Sequence, residues 1–303
     1  MLKIAAPTRT VQAALLMICA SASISVLWAV LRYGAETMHP LYMVFWRSLL
    51  GAAVLLPLFA RRGFASLRTR RLPMHFVRSA SGLLAMTGIF YSIAHVPLAQ
   101  AMAINYSAPL FATVGAALIL GETLHRRRLT AVAVGFLGML VVVRPGVQHV
   151  DLGILAAVAG AVGMASALLS VKKLSSSEST PTIIFYGNML CLPIAFALAL
   201  QHWQPMTWHN LGILAAVGVI STVSQAFLTR ALTLADAGAV LPMDFMRLVF
   251  VTLLGVALFG ERPHPVTWLG AAIILCSTVY IARREARLKA AARRAPAAPE
   301  PAA

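Results

Sequence analysis

Asp244 and Arg247 are the residues whose types and spacing are best suited to chemistry. Both lie inside the apolar run 237–260, and their i, i+3 spacing places them on one face of a helix. The guanidinium can bind a carboxylate or another anionic group through paired hydrogen bonds, while the aspartate orients it or competes with the ligand. Asp244 is also the only acid well inside an apolar run, which makes it the candidate for binding and releasing a proton. The alternative is a structural pair that joins this helix to a neighbour.

A second polar group, Asn105 and Tyr106, precedes Pro109 in another apolar run, and Pro242 stands in a similar way beside Asp244. A proline removes a backbone N–H and frees an upstream carbonyl, so the kinked helix exposes polar backbone that must face protein or a water-filled cavity. The sequence therefore predicts a binding site at these two breaks, unless Pro109 only bends its helix around its neighbours.

Four further side chains could line such a cavity. Trp28 and Tyr91, together with Tyr106, could hold a ring or an amphipathic metabolite, although aromatic residues also anchor helices at membrane interfaces. Gln225 belongs to a polar cluster within its run. Arg47 lies within reach of an interface by snorkelling, so its structural and functional interpretations are equally open. The predicted substrate-binding residues are Arg247, Asp244, Asn105, Tyr106, Tyr91, Trp28, Gln225 and Arg47.

Other features predict structural roles. Glu122 and Glu261 stand at the ends of apolar runs, where they can pair with Arg126 or Arg262 at the membrane surface. Arg78 begins its run and is interpreted as a topology anchor. Small residues at four-residue spacing allow two helices to approach their neighbours closely. These residues are Ser21, Ser25 and Ala29 in one run and Ala159, Gly163 and Ala167 in another.

The elements that must position these residues are too apolar for a soluble protein. The 303 residues are 60% hydrophobic and 11% charged, with a mean hydropathy of +0.82, whereas soluble domains average about 25% charged residues. A helix that is apolar all round for roughly 20 residues matches the hydrocarbon core of a bilayer. We therefore expect an all-α integral membrane protein with ten transmembrane helices, at about 11–31, 41–60, 75–94, 99–120, 129–144, 151–171, 181–200, 210–230, 237–260 and 265–282.

The basic residues are unevenly distributed between the loops. With a cytoplasmic N-terminus, nineteen of the 25 lysines and arginines lie on the cytoplasmic side and three on the opposite side, which is a strong positive-inside bias. An even number of spans places both termini in the cytoplasm of a multi-pass inner-membrane protein. The net charge of +16 then faces anionic lipid, which removes nucleic acid as an expected partner.

Short sequences from the first half recur in the second. Leu-Ala-Gln-Ala at 98–101 returns as Leu-Ala-Asp-Ala at 234–237, and Gly-Glu at 121–122 returns at 260–261. Five spans thus repeat as five, and an odd number inverts the second copy relative to the first. The loop after the first Gly-Glu carries three arginines and its counterpart one, as inversion requires. The predicted domains are a cytoplasmic N-terminus at 1–10, five-helix repeats at 11–145 and 151–282, and a basic, disordered cytoplasmic tail at 283–303.

With these features the chain resembles the EamA branch of the drug/metabolite transporter superfamily over roughly residues 10–283. The resemblance rests on Phe45-Trp46-Arg47, the stretch 97–110, the two Gly-Glu pairs and the motif Met-Asp-Phe-Met-Arg at 243–247. It implies two inverted EamA repeats and alternating access around a cavity lined by spans one, three, four, six, eight and nine. It also implies a carrier of amino acids or related small polar or amphipathic metabolites, with export preferred over uptake of a vitamin or nucleoside-like compound.

No motif in the sequence indicates catalysis, a metal or a cofactor. The chain lacks a His-Glu-x-x-His pair, a Gly-x-Ser-x-Gly elbow and a phosphate-binding Gly-x-x-x-x-Gly-Lys loop, so we expect a transporter that does not use ATP directly. A passive channel is a further alternative. The expected partners are a small-molecule substrate and membrane lipids, and spans five and ten, which are short of polar groups, could support a homodimer.

Overall fold

The computed structural model describes residues 9–53, 69–120, 126–144, 151–174, 177–178, 180–234 and 241–294, and within these ranges the chain forms only helices and connecting turns. Helices suit a lipid environment because they satisfy every interior backbone group within one segment. The α-helices are α1 (Arg9–Gly34), α2 (Pro40–Ala53), α3 (Leu72–His95), α4 (Leu98–Asn105), α5 (Ala108–Leu120), α6 (Arg126–Val143), α7 (Leu152–Leu174), α8 (Thr180–Met189), α9 (Leu192–Leu200), α10 (Trp208–Leu234), α11 (Met246–Phe259) and α12 (Pro265–Arg294). A 3-10 helix, Leu241–Phe245, runs directly into α11.

Each of the ten predicted apolar segments contains at least one of these helices, so the all-α membrane class is confirmed. Two shorter apolar helical stretches are Leu129–Val143 and Pro265–Ile281. The number of ten crossings stays a prediction. Six stretches are long and apolar enough to cross a bilayer: Val11–Gly34, Leu72–His95, Leu98–Leu118, Leu152–Leu174, Thr182–Leu200 and Trp208–Leu228.

Two of the apolar segments are interrupted helices. Only Tyr106 and Ser107 separate α4 from α5, and only Leu190 and Cys191 separate α8 from α9. Pro193 stands in the first turn of α9, where its missing N–H costs no helical hydrogen bond. The break predicted beside Pro109 is confirmed, whereas the break between α8 and α9 was not anticipated from the sequence.

Helices α3 and α7 pack so closely that their backbones are in contact. A Cβ atom on Gly88 would lie 2.6 Å from the backbone nitrogen of Gly160, and one on Gly163 would lie 2.6 Å from that of Ala85. Only glycine fits at such a distance, so the packing role predicted for Gly163 is confirmed. We call Gly88, Gly160 and Gly163 the glycine seam.

Two other helix pairs complete the bundle. Helix α1 lies along α10 and against α11, while α6 lies along α12. At the α6–α12 contact the Ser277 hydroxyl donates a hydrogen bond to the carbonyl of Ala131. Many large apolar side chains face outward, for example Leu118 at 81% and Val219 at 63% exposure. Such a surface is unfavourable in water and suits lipid.

Candidate functional site

The first helix break places polar groups in the middle of an apolar segment. The Tyr106 backbone N–H closes the last turn of α4 on the Met102 carbonyl at 3.0 Å. The Ser107 hydroxyl then turns back to the Ile104 carbonyl at 2.6 Å. Pro109, in the first turn of α5, has no N–H to donate, so the proline starts the new helix without an unpaired donor.

The charged pair predicted from the sequence lies at a different break, where the 3-10 helix Leu241–Phe245 runs into α11. Asp244 lies near the end of the 3-10 helix and Arg247 is the second residue of α11. The Arg247 Nη2 group donates to Asp244 Oδ1, and the two side chains are 17% and 20% exposed. Pairing reduces the cost of holding both charges at membrane depth.

Two serines of α1 donate hydrogen bonds to the break that carries Asp244 and Arg247. The Ser21 hydroxyl donates to Asp244 Oδ1 at 3.1 Å, and the Ser25 hydroxyl lies 3.1 Å from the Arg247 carbonyl oxygen. Both serines are fully buried. The stripe that the sequence predicted for packing alone therefore also supplies hydrogen bonds to the charged pair.

The break at Tyr106 and the break at Asp244 are in contact. The Tyr106 hydroxyl donates to the Asp244 carbonyl oxygen at 3.0 Å, and the rings of Tyr106 and Phe245 lie 5.0 Å apart. The Nδ2 atom of Asn105 and the Nε atom of Arg247 are buried without a hydrogen-bond partner in the described part of the chain. We call this group the polar junction; its members are Ser21, Ser25, Asn105, Tyr106, Asp244 and Arg247.

The polar junction has the chemistry of a binding site for a hydrogen-bond acceptor. A buried N–H without a partner costs about 1–3 kcal/mol, so an acceptor atom that reaches Asn105 or Arg247 would be bound favourably. The ion pair leaves the group with no net charge, and a ligand carboxylate would compete with Asp244 for the guanidinium. The arrangement can therefore bind a carbonyl or carboxylate group.

The remaining predicted site residues lie elsewhere or are not described. Tyr91 stacks on His95 at 4.0 Å between ring centroids, near the end of α3. Trp28 is buried in the main apolar core, and Arg47 contacts the Met86 sulfur at 3.1 Å. None of these three has a hydrogen bond or ring contact with the polar junction among the described residues. The Gln225 side chain lies outside the described residues.

The position of Arg78 in the sequence suggested a simple anchor at the membrane surface. The structure places it differently. It is half-buried seven residues into α3, and its guanidinium carbon lies 3.6 Å from the point where a Cβ atom would stand on Gly187 of α8. Its Nε atom is buried without a hydrogen-bond partner in the described part. Arg78 therefore points into the helix bundle.

Sequence reasoning missed the two serines as members of the site. Their four-residue spacing on a buried face of α1 was visible, but small residues at that spacing occur at most close helix contacts. Only the tertiary arrangement reveals that this face lies against the charged pair. The usable signal was that serine, unlike alanine or glycine, brings a donor into an apolar segment, where it needs an acceptor.

Glu261 has a different partner from the one expected. It accepts a hydrogen bond from the Leu98 N–H at 2.8 Å and lies 4.0 Å from Arg32, so its predicted structural role holds but its partner is not Arg262. Burial raises the pKa of the Glu261 carboxyl, and the Leu98 N–H and Arg32 partly oppose that rise. Arg32 also donates to the Ile93 and Val96 carbonyls. Glu122 lies outside the described residues.

The described residues contain no group of three or more His, Cys, Asp or Glu side chains that could hold a metal ion. The polar junction instead contains hydroxyl, amide, carboxylate and guanidinium groups on interrupted helices. An interrupted helix at membrane depth, with its polar groups facing protein, is typical of secondary transporters. The fold and the site together define the class as a helical membrane transporter.

Comparison with known families agrees with this class. The model of the EamA-like transporter family matches residues 11–144 and again residues 151–283. The chain therefore belongs to the EamA-like transporter family and is a small-molecule transporter of the drug/metabolite type, as the sequence resemblance implied.

Its relatives carry different substrates. A riboflavin transporter of Vibrio cholerae is 34% identical, covering 77% of this chain and 80% of the relative. The pseudopaline exporter CntI of Pseudomonas aeruginosa is 31% identical over 89% and 95% of the two chains. An S-adenosylmethionine uptake transporter of Rickettsia felis is 28% identical over 82% and 85%. A solved crystal structure with 22% identity superposes with a TM-score of 0.55, covering 91% of this chain and 97% of that one, which indicates a shared fold alone.

Proposed function

We propose that this protein is a ten-helix carrier that moves a small polar or amphipathic metabolite by alternating access around the polar junction. The observation that carries the proposal is the hydrogen bond from the Tyr106 hydroxyl to the Asp244 carbonyl, because it joins the two helix breaks at one place. Carriers of this kind bind substrate where interrupted helices of two repeats meet. Export of an amino acid or related compound is the preferred direction.

The arrangement of helix pairs supports two inverted halves. Helix α1 packs along α10, and the corresponding sixth span, α7, packs along α3. Spans five and ten, α6 and α12, pack on each other. Exchanging the two halves converts the α1–α10 contact into the α7–α3 contact and returns the α6–α12 contact to itself, as a two-fold relation between repeats requires. Aligning the two Gly-Glu pairs also places Asn105 on Asp244 and Tyr106 on Phe245.

The charge distribution supports a cytoplasmic location for both termini. The connection between α2 and α3 contains five arginines, and α7 ends in two lysines. These groups and the N-terminal lysine and arginine all lie on one side if the helices cross in sequence. Positive charge in short loops favours the cytoplasmic side of the inner membrane. The two repeats, 11–145 and 151–282, then have opposite orientations.

Within the polar junction we assign recognition to Arg247 and Asn105, which hold the unpartnered donors. Asp244 would hold Arg247 in place until a substrate carboxylate replaces it as the partner of the guanidinium. Asp244 is also the candidate for proton coupling. Tyr106 would connect the two halves as the access side changes. Trp28, Tyr91 and Gln225 remain candidate substrate contacts, whereas the predicted contact Arg47 lies against Met86, away from the polar junction.

A metabolite comparison tests the proposal. Culture medium and cytosol are profiled in cells that overproduce the wild-type protein, cells that lack it and cells that produce Asp244→Asn at equal membrane levels. A compound enriched in the medium only with the wild-type protein would identify an exporter and its substrate together. Equal enrichment with Asp244→Asn would contradict the assigned role of the polar junction.

The second candidate function is uptake of a vitamin or nucleoside-like compound. It is favoured by two relatives, one named a riboflavin transporter and one an S-adenosylmethionine uptake transporter. In the same experiment, depletion of a compound from the medium with accumulation in the cytosol would establish uptake and reject export. Flux that does not saturate with substrate would instead indicate a passive channel.

A further inference from the structure

Two arginines lie on helices that do not contribute to the polar junction. Arg47 of α2 and Arg78 of α3 both stand inside their helices, and neither has an ion pair in the described part of the chain. The Arg47 Nη1 group contacts the Met86 thioether, a weak acceptor. The Arg78 Nε group has no hydrogen-bond partner there. Among the described residues, the bundle therefore holds two cations without a countercharge.

The sequence explains why no carboxylate of this region neutralises them. The chain has no aspartate or glutamate between Glu36 and Glu122, and none between Glu178 and Asp236. Helices α2, α3, α8 and α9 fall within these two stretches. The Glu178 carboxylate already has partners near the beginning of α3. It accepts a hydrogen bond from the Thr69 hydroxyl at 2.5 Å and lies 3.9 Å from the His75 ring.

The region around the break between α8 and α9 brings the two arginine-bearing helices together. Gly187 borders the guanidinium of Arg78, and the next residue, Asn188, lies 3.3 Å from the point where a Cβ atom would stand on Gly51 of α2. Gly51 is one helical turn beyond Arg47.

This region also holds polar groups that lack partners or are fixed in place. Ser48, next to Arg47, is fully buried and its hydroxyl has no hydrogen-bond partner in the described residues. The Ser79 hydroxyl donates to the Gly187 carbonyl at 3.0 Å, which fixes α3 against α8 beside Arg78. A buried hydroxyl without a partner is rare in folded proteins, and a bound ligand is one explanation for it.

We propose that Arg47 and Arg78, on either side of the α8–α9 break, form a second site that binds a carboxylate or phosphate group. Guanidinium groups bind both kinds of anion through paired, charge-assisted hydrogen bonds. The anion would neutralise the two cations, whose uncompensated charge is costly at membrane depth. Its source is either a soluble metabolite or the headgroup of an anionic lipid, and the two sources share this chemistry.

The test measures anion binding by the purified full-length protein and does not require transport. Thermal unfolding in a neutral detergent is followed while sodium phosphate or sodium citrate replaces sodium chloride at constant ionic strength. We expect both anions to raise the unfolding temperature of the wild-type protein. Arg47→Gln and Arg78→Gln should each weaken the apparent affinity roughly tenfold or more, because each removes a charged donor.

Arg71→Gln is the matched control. Arg71 stands immediately before α3, but unlike Arg78 it is exposed, and it donates to the Lys173 carbonyl. This variant should keep the wild-type response to phosphate. If a glutamine variant does not fold, Arg47→Lys and Arg78→Lys decide the question, since they keep the charge but lose the paired hydrogen bonds and should bind several-fold more weakly than the wild type.

A second measurement separates the two sources of the anion. The protein is placed in nanodiscs of phosphatidylcholine alone or with phosphatidylglycerol. Arginine-dependent stabilisation by phosphatidylglycerol that removes the response to phosphate identifies a lipid headgroup, and a phosphate response unchanged by phosphatidylglycerol identifies a soluble anion. The proposal is overturned if no anion stabilises the wild type, or if the arginine variants respond as the wild type does. If the metabolite comparison found no transport while the purified protein still bound the anion, the result would count against the proposed function and not against this site.

Discussion

The polar junction and the glycine seam are two ways in which helices of this bundle are held together, and they differ in what they allow. At the seam, α3 and α7 contact each other through backbone atoms, and a Cβ atom on Gly88 would lie only 2.6 Å from the Gly160 nitrogen. At the junction, α1, α4 and α11 contact each other through side chains that donate and accept hydrogen bonds.

This difference separates a fixed contact from an exchangeable one. Backbone contact between two helices depends on shape and cannot be replaced by a ligand without moving both helices. A hydrogen bond can pass from a protein acceptor to a substrate acceptor at small cost. We therefore interpret the seam as the part that would move as a unit during the proposed alternating access, and the junction as the part whose contacts would change.

The largest expected effect is that of breaking the ion pair at the junction. Asp244→Ala leaves Arg247 without its partner in a mostly buried position, which is expected to cost about 3 kcal/mol. Transport should fall at least about a hundredfold, because an unpaired guanidinium at the breaks resists the change of partners. Initial rates of uptake or efflux of the identified substrate, normalised to protein in the membrane, provide the measurement.

The double variant Asp244→Ala with Arg247→Ala sharpens this result. Removing both charges removes the unpaired cation, so thermal stability should return toward the wild-type value while transport stays lost. Recovery of transport together with stability would mean that the pair is structural, and it would remove the distinction drawn between junction and seam.

The sequence predicted the charged part of this site because charge inside an apolar segment is a local signal. Asp244 and Arg247 are three residues apart, so their pairing follows from helix geometry alone. The contact of Tyr106 with Asp244 could not be predicted in this way, since it joins residues far apart in the chain. The ten apolar segments were likewise visible from composition, while the break at Cys191 was not, because Pro193 follows it at a position where helices commonly begin.

The next effect tests the seam by adding a side chain where two backbones meet. Gly88→Leu should destabilise the protein by about 3 kcal/mol or more, because backbone atoms of α7 cannot move aside as a flexible side chain could. The expected observation is lower membrane expression and a lower unfolding temperature, with transport per folded molecule changed less than in Asp244→Ala.

Gly212→Leu is the control for the seam. Gly212 also lies in a helix, but nothing stands within 4 Å of a Cβ atom placed there. Its unfolding temperature should match the wild type. If Gly88→Leu and Gly212→Leu had equal stability, the close backbone contact between α3 and α7 would be refuted. The interpretation of the glycine seam as a fixed contact would then be wrong.

A smaller effect is expected from single hydroxyl groups of the junction. Ser21→Ala removes the donor to Asp244 Oδ1, and such a hydrogen bond contributes about 0.5–1.5 kcal/mol, or more when the acceptor is charged. Transport should fall by about three- to tenfold. Ser23→Ala is the control, because the Ser23 hydroxyl bonds the Cys19 carbonyl within α1. Equal transport by the two variants would place Ser21 outside the site.

The smallest effect concerns Glu261, which ties the end of α11 to the beginning of α4 and so connects two helices of the junction at their ends. Burial raises its pKa above the ordinary value of 4.5, so the folded protein holds this proton more tightly than the unfolded chain. The resulting stabilisation is complete below pH 4.5 and is lost as pH rises through the folded-state pKa. Glu261→Gln removes this titration, so the unfolding temperature of the wild type relative to the variant should fall as pH rises above 4.5. Glu36→Gln, at an exposed residue, controls for general effects of charge. A difference between wild type and Glu261→Gln that does not change with pH would mean that the carboxyl stays ionised and acts only as the acceptor for the Leu98 N–H, a contact as fixed as the seam.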